Sequence, residues 1–579
     1  MTDVAAATSA AYERYRAAGE AVPARTLAWN VYGKDIERVG RDGQPEWVDV
    51  PEPRPDQLLI RVDAVGLCFS DVKLIRLGGD HPKLYGRDLT VEPTRIGHET
   101  SVTVMRVGAD LADRFQPGQR LAIQPDIYVN GRSTAYGYTI PGGLIGYHAI
   151  GPEVLAADDG AYVVPVDDRM GYAETALTEP WACVEAAYTQ RRRLLPLAGG
   201  RAWVIGRLDD ERDYTFGDLL AGTAEVVLSD AGPALERAVR AAAPNATIRS
   251  DALETAEGPF DDVIVLGVTS AAIVGRAADA LAFRGAMAIV SDAPLDGPVE
   301  IDVGRIHYHY TAYLGASGTD VTAAYGEARN RAEIRPDGVT VVVGAAGPMG
   351  QMHVERALRM ADGPRVVLGV DLDADRLEAA RAKLQPVATE QGRRLILDVL
   401  GPEAGALRTL VGGITDEHGA DDIIVTAPSA TAVREASAAL APDGMLVLFA
   451  GVPVGTRLEL DMSPVFLGAV QYTGTSGSRI ADQALVVEKT VEGGLAPERA
   501  LGAVGGMEAA QESLRALVEG RFAGKIVIFP HLGDLPLTSI AELAEREPSV
   551  GSALGPGDTW TTEAEAALFA RHLRPASGS

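Results

Sequence analysis

Only two of the 579 residues are cysteine, Cys68 and Cys183. That excludes a disulfide framework and a four-cysteine structural zinc lobe. Basic residues are also short: 53 Lys plus Arg stand against 80 Asp plus Glu, a net charge of −27. Nucleic-acid binding needs a basic face, so that class is excluded. An anionic small molecule is not, because a few local arginines can bind one inside an acidic protein. No apolar run is long enough to span a bilayer, and the first twenty residues hold no apolar core of the signal-peptide kind. A soluble cytoplasmic protein without a membrane partner is the expectation. What is present is ordinary globular material, 46% hydrophobic and 23% charged, in a chain long enough for two to four domains.

Residues 1–25 read as a short polar helix or a loose segment. From Leu27 to about residue 165, short apolar stretches such as LLIRVDAVG and TSVTVMRVG are broken by Gly and Pro, which predicts a β-rich domain. The stretch 172–190 (YAETALTEPWACVEAAYTQ) predicts helix. After Gly200, buried-strand candidates alternate with helical stretches, the pattern of an α/β parallel sheet covered on both faces. That pattern then restarts. LAFRGAMAIV from Leu281 matches LAPDGMLVLF from Leu440, VEID from Val299 matches LELD from Leu458, and GASG from Gly315 matches GTSG from Gly474. All three pairs share an offset of 159 residues, so the chain carries two tandem copies of one unit. The expected divisions are 1–198, 199–335 (first copy), 336–485 (second copy) and 486–579, a return to the first domain with a polar helical tail.

The second copy carries a dinucleotide signature. Residues 339–371 read strand, Gly-rich turn, helix, strand, acid. Gly344, Ala345, Gly347, Pro348, Met349 and Gly350 form the turn. Gly347 lets the backbone approach a pyrophosphate and Gly350 lets the helix pack on the strand, while amides at the helix start face the charge. Asp371 lies 21 residues beyond Gly350, where a carboxylate accepts both ribose hydroxyls and repels a 2′-phosphate. NAD(H) is therefore favoured, with NADP(H) the alternative. Ala345 departs from the usual first glycine. In the first copy the equivalent turn, GRLDDERDYTFG from Gly206, sets Asp209, Asp210 and Glu211 where phosphates would go. That copy reads as a degenerate unit that kept the fold and lost the nucleotide.

A second cluster of chemistry lies upstream. Cys68 opens GLCFSD, His98 and Glu99 form GHE, and Glu179 sits in LTEPWAC. Thiolate, imidazole and carboxylate are ligand types of a catalytic zinc with one open position. Ser70 can pass a proton, and Asp71 can hold the His98 ring. Read alone, without the surrounding pattern, a buried cysteine and a GHE triplet read as plain packing. Cys183, four residues after Glu179 on the same helical face, is an alternative ligand or a packed thiol. Arg87, Arg95 and Arg132 are the arginines considered for a substrate phosphate and read as ordinary surface charges.

GLCFSD, GHE followed by VTVMRVG, the turn GAAGPMG, LTEPWACVEAAY, GVDLDADRL, FAGVP and GTSG together resemble the zinc-dependent medium-chain dehydrogenase/reductase superfamily, in its sorbitol-dehydrogenase-like branch. The likeness runs from about residue 27 to the C-terminus, apart from the inserted unit at about 199–335. It implies a GroES-like catalytic domain followed by Rossmann-type doubly wound units. It implies zinc at Cys68, His98 and Glu179 with Glu99 as a labile neighbour, Ser70 as proton relay and Asp71 as the orienting carboxylate. One catalytic zinc is implied and no structural zinc. The implied reaction is hydride transfer between NAD(H) and a secondary alcohol or ketone of a sugar, polyol or sugar phosphate. An alcohol, threonine or cyclitol dehydrogenase is the nearer alternative, and a non-catalytic assembly scaffold the more distant one. His307 and His309 stand in IHYHYTAYLGASG of the first copy, and read as surface or interface histidines. Superfamily members commonly pair cofactor domains edge to edge between subunits. The tandem copies could make that pairing within one chain, or leave a homodimer.

Overall fold

Leu58–Leu67 (LLIRVDAVGL) is buried along its whole length, which explains its near-continuous apolar run. In this computed structural model, which describes residues 10–190 and 192–573, that strand is central to an eight-stranded sheet. It pairs antiparallel with Glu99–Val107 on one side and Lys525–Phe529 on the other. The sheet thus joins the early β-rich segment to the C-terminal return. It belongs to the first of two compact units, Met1–Glu185 with Ala379–Pro386 and Gly477–Ser579.

Three local expectations for this unit change. Residues 10–16 are helical and not simply polar, because Tyr12 and Tyr15 are buried beside Phe569 and Tyr172. The tail helix Thr562–His572 likewise buries Leu568 and Phe569. The stretch 172–190 is two helices, Tyr172–Ala176 and Thr178–Thr189. A helix the apolar pattern did not announce, Phe69–Leu77, starts immediately after Cys68.

The second unit comprises Ala186–Glu378 and Val387–Ser476. Its core is one twelve-stranded sheet. The first copy contributes six strands in the spatial order Thr247–Ser250, Glu225–Ser229, Arg201–Ile205, Phe260–Leu266, Leu281–Val290, Ala312–Ala316. The second copy runs in mirror order from the junction: Gln471–Gly474, Leu440–Leu448, Ala420–Val425, Val339–Val343, Val366–Asp371, Arg394–Val399. Within each copy, neighbouring strands are parallel; where the copies meet, they are antiparallel. Each half is the doubly wound 3-2-1-4-5-6 arrangement.

Two pairings hold the copies together. Tyr313 lies opposite Tyr472 in the sheet. The short strands Val299–Asp302 and Arg457–Leu460 pair antiparallel with Glu300 opposite Glu459. Both opposed pairs join residues at the repeat offset of 159, so a local two-fold relates the copies. Edge strands expose unpaired backbone groups, and here each copy covers the other's sixth-strand edge.

Candidate active site

The loop from Leu67 into the helix Phe69–Leu77 puts Cys68 at the helix N-cap. Asp71 organises the region. Its Oδ2 accepts from the Cys68 amide at 2.9 Å, and its Oδ1 accepts from the Gly97 amide at 3.1 Å and lies 3.1 Å from His98 Nδ1. One buried carboxylate therefore fixes the two segments that carry Cys68 and His98. Ligand atoms of Cys68, His98 and Glu99 lie within 4.8 Å of one another. Burial opposes charge on His98, but Asp71 outweighs it and raises the imidazole well above its ordinary range. Ser70 Oγ is 3.5 Å from Cys68 Sγ.

Glu179 is not part of that tight triad. It is buried nearby and interacts electrostatically with both His98 and Glu99. Burial first, then Glu99 and Asp126, push its carboxyl up to about 7, against the pull of His98. Cys183 Sγ is 3.8 Å from Glu179 Oε1 and 3.9 Å from Ser478 Oγ. Burial and Glu179 push this thiol well up, so it sits as a neutral group outside the triad.

Lys525 escaped the sequence reading. It opens the strand Lys525–Phe529, whose next residue, Ile526, pairs with Leu67, so its ammonium reaches Glu99 Oε1. Burial opposes its charge, but Glu99 and Cys68 overcome that and raise its pKa. A cation opening a wholly buried strand (KIVIF) was the available signal. Of the arginines weighed for phosphate, Arg87 faces Glu92 and Arg132 stacks on Tyr85. Arg95 is no plain surface charge: burial draws it down to about 10, its Nη1 donates to Gly142 O, and its Nε–H is buried without a partner.

The triad fits a divalent soft-to-borderline ion: one sulfur, one nitrogen and one oxygen donor, the nitrogen ring anchored from behind. Glu99 Oε2 is buried and has no hydrogen-bond partner, a lone pair that a cation would satisfy.

In the second unit, Gly344 has φ +88°, and an added Cβ would lie 2.8 Å from Thr426 Oγ1. A Cβ on Gly350 would lie 2.2 Å from Gly344 O. The left-handed φ and close neighbours of Gly344, and the packing of the helix against the turn at Gly350, require these two glycines whether or not a cofactor binds. Gly347 differs, for a Cβ there would meet only Gly344 O at 3.5 Å, so the fold itself leaves room for alanine. Gly347 is the N-cap of the helix Pro348–Arg359, with Pro348 and Met349 in its first turn. Ala345 is buried and donates its amide to Val370 O at 3.0 Å. Asp371 ends the strand Val366–Asp371 and accepts from the Ala346 amide at 3.0 Å.

The first copy lacks this cradle. No helix follows Arg201–Ile205 before the strand Glu225–Ser229. Arg212 instead bonds to Asp210 and Tyr214, and its guanidinium lies where a Cβ on Gly267 would be, 2.2 Å away. Without a helix there are no helix-start amides to face a pyrophosphate. The acidic turn is neutralised from within, Asp209 by Arg207 and Asp210 by Arg212.

The family model of the alcohol dehydrogenase GroES-like domain matches residues 54–185. The chain is similar to zinc-type medium-chain dehydrogenases, which supports an oxidoreductase with zinc and a nicotinamide cofactor. Among its relatives, mannitol-1-phosphate 5-dehydrogenase of Aliivibrio fischeri is 24% identical over 541 residues, covering 91% of this chain and 95% of that protein. L-sorbose 1-phosphate reductase of Klebsiella pneumoniae is 25% identical over 553 residues, covering 94% and 97%. Sorbitol dehydrogenase of Macaca fascicularis is 29% identical over 209 residues, covering 33% of this chain and 52% of that protein. An alcohol dehydrogenase structure from Thermotoga maritima shares the fold, with a TM-score of 0.51 at 14% identity, covering 87% of this chain and 99% of that one. Among the described residues, no helix is long and apolar enough to cross a membrane.

Proposed function

We propose that this dehydrogenase transfers hydride between NAD(H) and the secondary alcohol or ketone of a sugar, polyol or sugar phosphate. The observation that carries the reading is the set Cys68, His98 and Glu99, a thiol, an imidazole and a carboxylate with donor atoms within 4.8 Å of one another. These three would hold the zinc, with Glu179 able to exchange into the set. Zinc bound there supplies a Lewis acid that lowers the pKa of an alcohol oxygen. Asp71 keeps the His98 ring oriented through Nδ1, so that Nε2 faces the donor set. Ser70 carries the alcohol proton outward, since its hydroxyl stands beside Cys68 and is part-exposed. Lys525 neutralises Glu99 and so sets how readily that carboxylate binds or leaves a cation. Gly347 and the first-turn amides of Pro348–Arg359 receive the pyrophosphate, and Asp371 the adenosine ribose, which favours NAD(H) over NADP(H). The first copy takes the place of a partner subunit's cofactor domain, and one chain is then a complete assembly.

A panel of polyols and polyol phosphates assayed by NADH absorbance tests the reading, with zinc content measured alongside. Cys68→Ser is expected to lose the metal and at least about 100-fold in kcat/KM. A wild-type protein that carries no zinc and binds no NADH would overturn it in favour of the scaffold.

A further inference from the structure

The duplicated fold contains its own control. At the carboxyl edge of the second copy, Arg192 joins Arg284 and Tyr310 of the first copy in a cationic cluster, whereas at the equivalent place on the other side the cation, Arg335, is paired with Asp443. Arg192 Nη2 donates to Gly474 O, at the end of the strand Gln471–Gly474, and to Ile306 O at 3.1 Å. The Arg192 guanidinium lies 5.1 Å from the ring centroid of Tyr310, and that of Arg284 lies 5.2 Å from the same ring. Ser476 Oγ donates to the Tyr310 hydroxyl at 3.3 Å.

Neither guanidinium is neutralised. Among the described residues, Arg192 and Arg284 have no ion pair with a carboxylate, in a chain of net charge −27. Burial and the nearby Arg284 draw Arg192 down to about 10, against a counter-pull from Tyr310. Its Nε–H is buried without a hydrogen-bond partner. Leaving a buried donor unmade is costly, and placing two cations beside one ring adds repulsion. Packing alone does not account for either.

The second copy shows what the fold needs at these positions. Arg284 and Asp443 are equivalents at the 159 offset, with φ of 60° and 58°; Tyr310 and Ala469 are too, with φ of 56° and 57°. The backbones agree, yet the cation is replaced by an anion and the ring by a methyl group. Arg192 precedes the arginine that holds Asp262, and its counterpart Asn330 precedes Arg331, which holds Asp422. At the equivalent place Arg335 pairs with Asp443, so among the described residues the unneutralised charge and the ring stand where they face the strand ends of the copy that retains the cofactor cradle. The carboxyl edge is where ligands bind in open α/β sheets.

We propose that Arg192, Arg284, Tyr310 and Ser476 form an anion subsite that takes the phosphoryl group of a phosphomonoester, and that this group is carried by the polyol substrate. The inference rests on the sugar or polyol dehydrogenase reading above and narrows its substrate class. Guanidinium groups match phosphate oxygens in pairs, and serine and tyrosine hydroxyls supply further donors. The degenerate copy then does more than cover an edge: it contributes substrate selectivity to its sister.

The probes are inorganic phosphate, mannitol 1-phosphate, mannitol, NADH and NADPH, used with the full-length zinc-loaded protein. Inorganic phosphate is expected to bind by calorimetry and to compete with mannitol 1-phosphate. Arg284→Ala, at an exposed position, should raise KM for mannitol 1-phosphate roughly 10- to 100-fold more than KM for mannitol. Arg192→Lys should show a smaller change of the same kind, and Arg240→Ala, on a surface helix and paired with Glu236, provides the charge control. Equal KM changes for both polyols in Arg284→Ala would overturn the subsite, as would unaltered phosphate binding. Phosphate that competes with NADPH and not with mannitol 1-phosphate would assign the anion to the cofactor and overturn the substrate part. Oxidation of free polyols with no preference for phosphorylated ones sinks this inference and leaves the dehydrogenase reading standing. Loss of all turnover with phosphate still bound sinks the dehydrogenase reading instead.

Discussion

His353 sits on the helix Pro348–Arg359, 1% exposed, with its Nδ1 2.6 Å from the Tyr188 hydroxyl and its ring 4.4 Å from that of Phe449. Burial, aided by Arg356, holds its imidazole down at about 3. An unfolded histidine titrates near 6.5, so between these values the unfolded chain binds more protons than the folded one. The stability this neutral ring supplies is complete above about pH 6.5 and is lost as pH falls, at about 1.4 kcal/mol per pH unit. His353→Gln should therefore flatten the acid limb of a plot of unfolding free energy against pH. An unchanged slope would show that this ring does not set it. At this scale Cys68, His98, Glu99 and Asp71 drew attention through the motifs GLCFSD and GHE set in the family resemblance, since a thiol, an imidazole and a carboxylate alone also suit plain packing. Lys525, Arg192 and Arg284 were silent, since a lone Lys or Arg in a chain carries no mark of the strand register that brings it to its neighbours.

The turn from Val339–Val343 into Pro348–Arg359 separates two demands on glycine. Gly350 answers to packing, with Gly344 O only 2.2 Å from a would-be Cβ, whereas Gly347 has a free 3.5 Å. Gly350→Ala is expected to cost about 1–3 kcal/mol in chemical denaturation, the range for overpacking. Gly347→Ala should leave stability nearly intact and weaken NADH binding about tenfold or more in fluorescence titration, because the methyl stands where the backbone would approach a pyrophosphate. Similar stability losses in both variants would remove the distinction. Spacing exposed this turn in advance, since strand, glycines, helix and acid recur at fixed intervals. The helix Phe69–Leu77 was hidden for the opposite reason. Its sequence FSDVKLIRL is short and mixed, and its start is set by the Asp71 carboxylate closing on the Cys68 amide.

Across the second unit, the constant offset of the repeats announced two copies, and the sheet joins them through their sixth strands. What the offset alone could not supply was direction. Antiparallel contact at Tyr313 and Tyr472 follows from a two-fold, not a translation, between copies. Replacing both tyrosines by cysteine should, under mild oxidation, give an intrachain disulfide with the mass on gel filtration and light scattering unchanged near 60.8 kDa. Disulfide-linked dimers in place of that product would mean that this edge pairs between chains. A contact formed within a single polypeptide has a further consequence. Subunits of an ordinary dimer part company below their dissociation constant, but these halves are tethered, so their encounter is unimolecular and dilution does not undo it.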